Sequence, residues 1–326
     1  MTVRPGMRLV VVFGAAIVGL AGVASAQDGQ FERTLSVSGP VTLEVKTASG
    51  GITVRRGGGG TVQVKGTIRA HRRWLEMGDV AAYIREVEAK PPIAQDGNRI
   101  RLALPEKEEV RRRLSISYDV TVPAETDVTA DSGSGSITID GLEGTAQAEA
   151  GSGSVHVSNV AGRVRAHTGS GSVTLEAVGQ GAEAETGSGS IKARDVNSDL
   201  TASTGSGRIT ASLLGQGTVK AHTGSGSIEI SGINGAAELD SSSGGIRVDG
   251  EPNGDWTVDA SSGSITIDVP DEAAFRIDAR SSSGSIDVDH PVTIQGTVGR
   301  KRLQGTVRGG GSLLALSTAS GSIRVQ

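Results

Sequence analysis

Residues 133–137 read Gly-Ser-Gly-Ser-Ile, and close copies of this motif recur along the chain. The Ile or Val that closes each copy lies 18 to 21 residues from the next, most often 18. The closing residues are Ile137, Val155, Val173, Ile191, Ile209, Ile228, Ile246, Ile265 and Ile286. Ile323 closes a further copy after an irregular stretch, and Ile52 closes an outlying one. A fixed period of this length is typical of a solenoid.

Apolar or small residues alternate on both sides of each motif. Ile139 and Val157 lie two residues after a closing residue, while Val164 and Ala166 lie nine and seven residues before one. Period-two alternation predicts strands with one buried face. Each coil then has two short strands and two turns, and it buries its apolar face by stacking on its neighbours. The sequence predicts an all-β, single-stranded β-solenoid (β-helix) with coils of about 18 residues.

A glycine stands two residues before every closing residue from Ile137 onward. We interpret these glycines as structural turn residues, required by positive φ or by close approach of another backbone. They are Gly135, Gly153, Gly171, Gly189, Gly207, Gly226, Gly244, Gly263, Gly284 and Gly321. Five residues before the closing position, Thr168, Thr186, Thr204 and Thr223 predict a ladder of hydroxyl groups that links coils.

Residues 1–26 are typical of a secretory signal peptide. Arg4 and Arg8 precede an apolar run, and Ala24-Ser25-Ala26 forms a cleavage site that leaves Gln27 as the mature N-terminus. The alternative is an uncleaved membrane anchor, for which the apolar run is short. We expect an exported protein, periplasmic, on the cell surface or secreted, with no membrane span after cleavage.

The segment 27–130 lacks the tight repeat, which occupies 131–326. Its alternating stretches predict strands, and residues 74–89 predict a short amphipathic helix stopped by Pro91-Pro92. A segment of different sequence at the end of a repeat array typically caps the exposed coil. We therefore expect an N-terminal cap continuous with the solenoid, so that 27–326 forms one domain; the alternative is a separate binding domain.

Composition excludes several functions. The chain contains no Cys, which rules out disulfides and thiolate metal sites. Its formal net charge of -4 and its short basic clusters do not indicate a nucleic-acid partner.

The strand Leu114–Val122, ending at Pro123 and leading into Val128–Ile137, resembles the bacterial putative-adhesin family, a domain of unknown function with β-strand repeats. The closing strand at 313–318, followed by Ser320-Gly321-Ser322-Ile323, is similar too. The resemblance covers most of the mature chain. It implies a β-solenoid, export and no established catalytic residues.

The stacked register brings residues at equal positions of successive coils together, so it predicts the pairs Arg165–Glu183 and Lys220–Glu238. Six residues before the closing position, this order gives Asp131, Glu149, His167, Glu185, Ser203, His222, Asp240, Asp259 and Arg280. Glu149, His167 and Glu185 are candidate metal ligands, and Ser203, His222 and Asp240 follow the order of a hydrolase triad. A flat exposed ladder lacks a pocket and oxyanion donors. We therefore expect weak or absent zinc binding, no catalytic residues and no cofactor.

Three functions remain open from the sequence. We favour an exported, non-enzymatic structural or interaction protein of the cell envelope, with an unidentified envelope protein or glycan as its partner. A polysaccharide-active β-helix enzyme is the first alternative, with Asp287, Asp289 and His290 as its best acidic patch. Such enzymes usually present aromatic platforms to sugar rings, and this chain has only seven aromatic residues. The second alternative is a partner or sensor in an envelope regulatory system.

Overall fold

The computed structural model describes residues 28–71, 80–294 and 301–326. The expected signal peptide at 1–26 and the first part of the helix predicted at 74–89 lie outside these residues. Strands are the main regular structure of the described residues, with only two short helices among them, which confirms the all-β class.

The described residues form 29 strands and two short helices. The elements are β1 (Asp28–Ser36), β2 (Val41–Thr47), β3 (Ile52–Arg56), β4 (Thr61–Ala70), α1 (Val80–Ala89), β5 (Ile93–Asp96), β6 (Arg99–Leu102), α2 (Glu108–Arg113), β7 (Leu114–Val122), β8 (Thr126–Ser132), β9 (Ile137–Leu142), β10 (Ala146–Ala150), β11 (Val155–Val160), β12 (Val164–Thr168), β13 (Val173–Val178), β14 (Ala182–Thr186), β15 (Ile191–Val196), β16 (Leu200–Thr204), β17 (Ile209–Leu213), β18 (Val219–Thr223), β19 (Ile228–Asn234), β20 (Ala237–Ser241), β21 (Ile246–Glu251), β22 (Trp256–Ala260), β23 (Ile265–Asp268), β24 (Phe275–Ser281), β25 (Ile286–Val288), β26 (Val292–Ile294), β27 (Arg302–Val307), β28 (Ser312–Thr318) and β29 (Ile323–Val325).

The strands form two sheets that run side by side along the molecule. One sheet has 14 strands in the order β1-β4-β7-β3-β9-β11-β13-β15-β17-β19-β21-β23-β29-β25. The other has 15 strands in the order β26-β27-β24-β28-β22-β20-β18-β16-β14-β12-β10-β8-β2-β6-β5. At the usual strand spacing of about 4.8 Å, each sheet extends about 60 Å.

Each coil of the repeat contributes one strand to each sheet. Along the 15-stranded sheet, Ala148, Ala166 and Ala184 pair in parallel register one coil apart. The closing residues from Ile137 to Ile265 are at most 1% exposed, so they form the centre of the core. One continuous cluster of buried residues includes both Phe31 and Val325. These features confirm the single-stranded solenoid with coils of about 18 residues.

The turn glycines are needed for close backbone approach. None of the ten has φ in the left-handed region. A Cβ on Gly171 would overlap the carbonyl group of Gly153 in the neighbouring coil, and a Cβ on Gly153 would overlap that of Gly135. The same overlap recurs at all ten positions, so the glycines stack as a column down one edge of the solenoid.

The threonine hydroxyls of the predicted ladder link the coils by donating hydrogen bonds to backbone carbonyl oxygens of the previous coil, and not to one another. Thr186 Oγ1 donates to the carbonyl oxygen of Gly171 at 2.7 Å, and Thr204 Oγ1 donates to that of Gly189 at 2.8 Å. The four threonines are at most 2% exposed. The ladder is therefore buried and fastens each coil to the turn of the coil before it.

A second kind of turn residue was not predicted. The residue four places after the closing position has positive φ in several coils and marks a corner of the solenoid. At this position φ is 79° for Gly141, 54° for Asn159, 54° for Ala177, 55° for Asp195 and 73° for Gly232. Three of these five are not glycine, so the requirement for a left-handed residue is hidden in the sequence.

The described residues of the segment predicted as a cap also contribute a coil to the solenoid. β2 and β3 form a full coil that lies between the strands β6 and β7 on one side and β8 and β9 on the other. Each of the two sheets therefore contains strands from both sides of residue 130. The described part of the predicted helix is α1, which buries Val80, Ile84 and Val87. The second helix, α2, was not predicted.

The end of the chain is inserted between two earlier coils. The repeat spacing places the coil of Ile286 directly on the coil of Ile265, but β28 and β29 lie between them. The predicted adjacency of Asp259 and Arg280 is therefore wrong, since Ser317 separates them. The inserted coil follows the same apolar pattern as its neighbours, so its stacking preserves the register of the core.

The position of the Leu214 side chain also differs from the prediction. Its position after Ile209 predicts an inward side chain, yet it is 67% exposed. Leu213 is buried instead and pairs with Val196 across a register shift. In this coil the residue four places after Ile209, Leu213, does not have positive φ. The inward side chain is therefore that of Leu213, one residue earlier than in the coils with a left-handed corner residue.

Candidate interaction surface

The outward face of the 15-stranded sheet carries a cluster of four charged or titratable side chains, which we call the first quartet. It consists of Arg165 and His167 on β12 and of Glu183 and Glu185 on β14. Arg165 Nε lies 2.8 Å from Glu183 Oε2, which confirms this predicted pair. His167 Nδ1 lies 3.5 Å from Glu185 Oε2. Alternation along each strand keeps all four side chains on the solvent side.

The same arrangement recurs on β18 and β20, where it forms the second quartet. Lys220 Nζ lies 2.9 Å from Glu238 Oε2, as predicted. His222 Nδ1 lies 2.7 Å from Asp240 Oδ1. The second quartet therefore repeats the basic, imidazole and two acidic groups of the first.

The two quartets arise from near-identical coils. Residues 164–168 read Val-Arg-Ala-His-Thr, and residues 219–223 read Val-Lys-Ala-His-Thr. Three coil steps separate them, which corresponds to about 14 Å along the sheet. Between them β16 presents the uncharged Thr201 and Ser203 to solvent. The face thus displays one charge pattern twice, at a fixed spacing.

The structure places Glu149, His167 and Glu185 in one row, as the register predicts. The side chains of His167 and Glu185 are 44% and 60% exposed, and within the described residues no ion pair joins Glu149 to His167. Among the described residues, no group of three or more His, Asp or Glu side chains is arranged to hold a metal ion. Weak or absent zinc binding remains a prediction.

Ser203, His222 and Asp240 are also neighbours. His222 and Asp240 interact, but within the described chain no hydrogen bond joins Ser203 to His222. The His222 and Asp240 side chains are 57% and 48% exposed, so solvent reaches them freely. The arrangement lacks the nucleophile-to-base hydrogen bond of a triad and resembles a surface ion pair beside a serine.

The structure separates the residues of the suggested acidic patch. Asp287 and Asp289 are exposed, whereas His290 is 7% exposed and meets the ring of Phe275 edge-on at 5.7 Å. The three side chains therefore do not form one site.

A groove at the N-terminal end was not predicted from the sequence. Its volume is about 310 Å³, and it lies between the end of α1, Pro91-Pro92 and the start of α2. Val87 and Val110 are buried beneath it, and Leu104 at its edge is 37% exposed. Pro91-Pro92 is the one sequence feature that indicates an irregular surface at this end.

Within the three described ranges, no helix is long and apolar enough to cross a membrane.

Three solved structures are similar to this chain over 91% of its length. They are a putative adhesin from Bacteroides fragilis (13% identity, 97% of that chain, TM-score 0.37), a putative adhesin from Parabacteroides distasonis (11%, 97%, 0.35) and a putative cell adhesion protein from Clostridium sporogenes (8%, 98%, 0.22). At these TM-scores the similarity carries no conclusion about function. No curated protein matches the sequence.

The sequence matches the family described as Toastrack DUF4097 over residues 36–326. The match includes both sheets, the two quartets and the inserted C-terminal coil. It agrees with the family resemblance carried by Leu114–Ile137. The chain belongs to the Toastrack DUF4097 family.

Proposed function

We propose that this protein is an exported, non-enzymatic interaction module of the bacterial cell envelope, whose partner is an envelope protein or glycan. The observation that carries the proposal is the repeated quartet on the outward face of the 15-stranded sheet. Paired charges at fixed positions on a rigid sheet give specificity to binding and guide the approach of a partner. The family that the chain resembles is named for a putative adhesin role, which agrees with this function.

The quartets suit binding better than catalysis. Their side chains are exposed and stand on neighbouring strands whose positions are fixed by the core. Catalysis by such groups needs a site that excludes water and places donors against a developing charge. A partner with charges of both signs at a spacing of about 14 Å would contact both quartets at once.

A binding experiment on whole cells, envelope extract and a glycan array tests the proposal. Residues 27–326 are immobilised and compared with an Arg165→Gln, Lys220→Gln variant. We expect the variant to lose about tenfold in affinity for the partner, since it removes one charge from each quartet. The matched control is Arg194→Gln, Arg247→Gln, which removes two exposed ion-paired arginines from the other sheet.

Equal binding by both variants would contradict a role for the quartets. Turnover of a polysaccharide by the purified chain would contradict the non-enzymatic part of the proposal.

Export needs its own test. Residues 1–30 fused to a periplasmic reporter should direct it out of the cytoplasm, with a new N-terminus at Gln27 by mass spectrometry. Ala26→Phe should block cleavage because the site requires a small residue there. A reporter that stays in the cytoplasm would contradict export.

A further inference from the structure

The two sheets end differently at the C-terminal end of the solenoid. In the 15-stranded sheet, the antiparallel strands β27 and β26 close the end beyond β24. The 14-stranded sheet ends at β25, and no strand among the described residues pairs with its outer side. At the opposite end of this sheet, α1 covers β1, where Gln30 N donates to Glu88 Oε1 at 3.0 Å. An uncovered strand edge is a template for another strand.

The hydrogen bonds of β25 show which backbone groups are available. Ile323 N donates to Ser285 O, and Asp289 N donates to Val325 O, both at 2.9 Å. Backbone groups alternate sides along a strand, so residues 285, 287 and 289 face β29. The N–H and C=O groups of Ile286 and Val288 therefore point away from the sheet, where a further strand would bind them.

The side chains define what that strand must carry. Ile286 and Val288 are half-buried, while the equivalent Ile323 and Val325 one coil inward are completely buried. An added strand would complete the burial of these two apolar side chains. Asp287 between them is exposed on the outer face. The edge thus presents an apolar, acidic, apolar pattern.

The chain itself shows the complementary pattern on the paired side of β25. There β29 reads Ile-Arg-Val, and the register places Ile323 opposite Ile286, Arg324 opposite Asp287 and Val325 opposite Val288. Opposite charges at paired positions of neighbouring strands stabilise the pairing. The outer side of β25 offers the same side chains and a second set of backbone groups.

We propose that the outer edge of β25 is a binding site for an extended β-strand of another protein with an apolar, basic, apolar sequence. Binding by addition of a strand to a sheet edge is an established mode of peptide recognition. A second copy of β25, in either strand direction that keeps the apolar residues paired, would bring Asp287 against Asp287 of that copy, which disfavours self-pairing. The short edge predicts weak binding that relies on the basic residue for selectivity.

A labelled peptide tests the site on the full chain. The probe has the sequence of residues 317–326, Ser-Thr-Ala-Ser-Gly-Ser-Ile-Arg-Val-Gln, and its partner peptide carries Glu in place of Arg. Fluorescence anisotropy should show saturable binding of the Arg peptide and binding about fivefold weaker for the Glu peptide. Asp287→Lys in the protein should reverse this preference.

Val288→Pro supplies an independent variant. Proline is tolerated on an edge strand where its missing N–H faces solvent, so the pairing of β25 with β29 should persist. The variant should lose peptide binding because an outward donor is gone, while circular dichroism stays unchanged.

Three results would overturn the proposal. One is the absence of saturable binding to the wild-type chain, and another is equal binding of the Arg and Glu peptides. The third is binding that survives Val288→Pro in a folded protein, which would mean that the peptide displaces the chain's own C-terminal coil.

Discussion

The hydroxyl of Thr168 donates a hydrogen bond of 2.7 Å to the carbonyl oxygen of Gly153, fifteen residues earlier and one coil away. The same hydroxyl accepts a hydrogen bond from Gly171 N at 3.2 Å. One buried side chain therefore satisfies two backbone groups that the turn removes from the strand ladders. This pairing fastens the glycine turn of one coil to the glycine turn of the coil before it.

Replacing Thr168 by Val should lower the free energy of unfolding by about 1–3 kcal/mol, because two buried backbone groups lose their partner. Thr168→Ser is the matched control, since it keeps the hydroxyl; Ser132, Ser241 and Ser281 occupy the same position in other coils. Urea unfolding measures both variants. A Val variant as stable as the Ser variant would show that the hydroxyl contributes little.

Gly171→Ala should cost about 3 kcal/mol or more, or prevent folding, since the added Cβ overlaps the carbonyl group of Gly153. Gly59→Ala is the control, because a Cβ there has no atom of another residue within 4 Å. Thermal unfolding followed by circular dichroism should separate the two variants clearly. Similar melting temperatures would contradict the close stacking of the glycine column.

Ala177→Gly should stabilise the protein by about 1 kcal/mol, because Ala177 has φ of 54° and a left-handed conformation is unfavourable for a residue with a Cβ. Gly141 and Gly232 already occupy the same corner in other coils. Ala184→Gly, in the middle of β14, should instead destabilise by about 1 kcal/mol. Chemical unfolding of both variants tests the sign, and a loss of stability in Ala177→Gly would contradict the corner geometry.

Asp140 should make stability depend on pH. Ser158 Oγ donates to Asp140 Oδ1 at 2.7 Å and Asn159 Nδ2 donates at 2.8 Å, and these hydrogen bonds lower the pKa of Asp140 below its usual 3.8. A carboxyl group whose pKa is lower in the folded state stabilises the fold above its unfolded pKa. That contribution is lost as the pH falls through the lowered, folded-state pKa.

Ser158→Ala tests this dependence because it removes the largest cause of the pKa shift. The variant should be less stable than the wild type at pH 7, and the difference should shrink as the pH falls below about 4. Urea unfolding at a series of pH values measures the difference. A difference that is constant with pH would contradict the role of the Asp140 carboxylate.

Leu314→Ala should cost about 3 kcal/mol, because Leu314 is completely buried between Trp256 and Ile277 in the inserted coil. Leu214→Ala is the control, since that leucine is 67% exposed and should change stability by less than about 0.5 kcal/mol. Equal effects of the two substitutions would contradict the insertion of β28 between β22 and β24.

The repeat predicted most of the candidate surface as well as the fold. The pairs Arg165–Glu183 and Lys220–Glu238 followed directly from the period, because equal positions of successive coils become neighbours. The register also placed His167 beside Glu185. The register did not reveal that the two quartets share one arrangement. This repetition becomes visible only when both strands of the first quartet are compared with both strands of the second. The groove that Leu104 borders depends on how α1 and α2 pack, and no periodic pattern in the sequence predicts it.

The amino-acid pattern is sufficient to predict one coil: its length, its two strands, its inward residues and its turn glycines. Those features depend on a local pattern that each coil carries in full. The order of the coils at the two ends depends on long-range contacts, which insert β2 and β3 at one end and β28 and β29 at the other between coils that the repeat would stack directly. Because every coil presents nearly the same apolar face, the pattern fits several stacking orders. The connections and end contacts select one of them, and they leave the outer edge of β25 unpaired among the described residues.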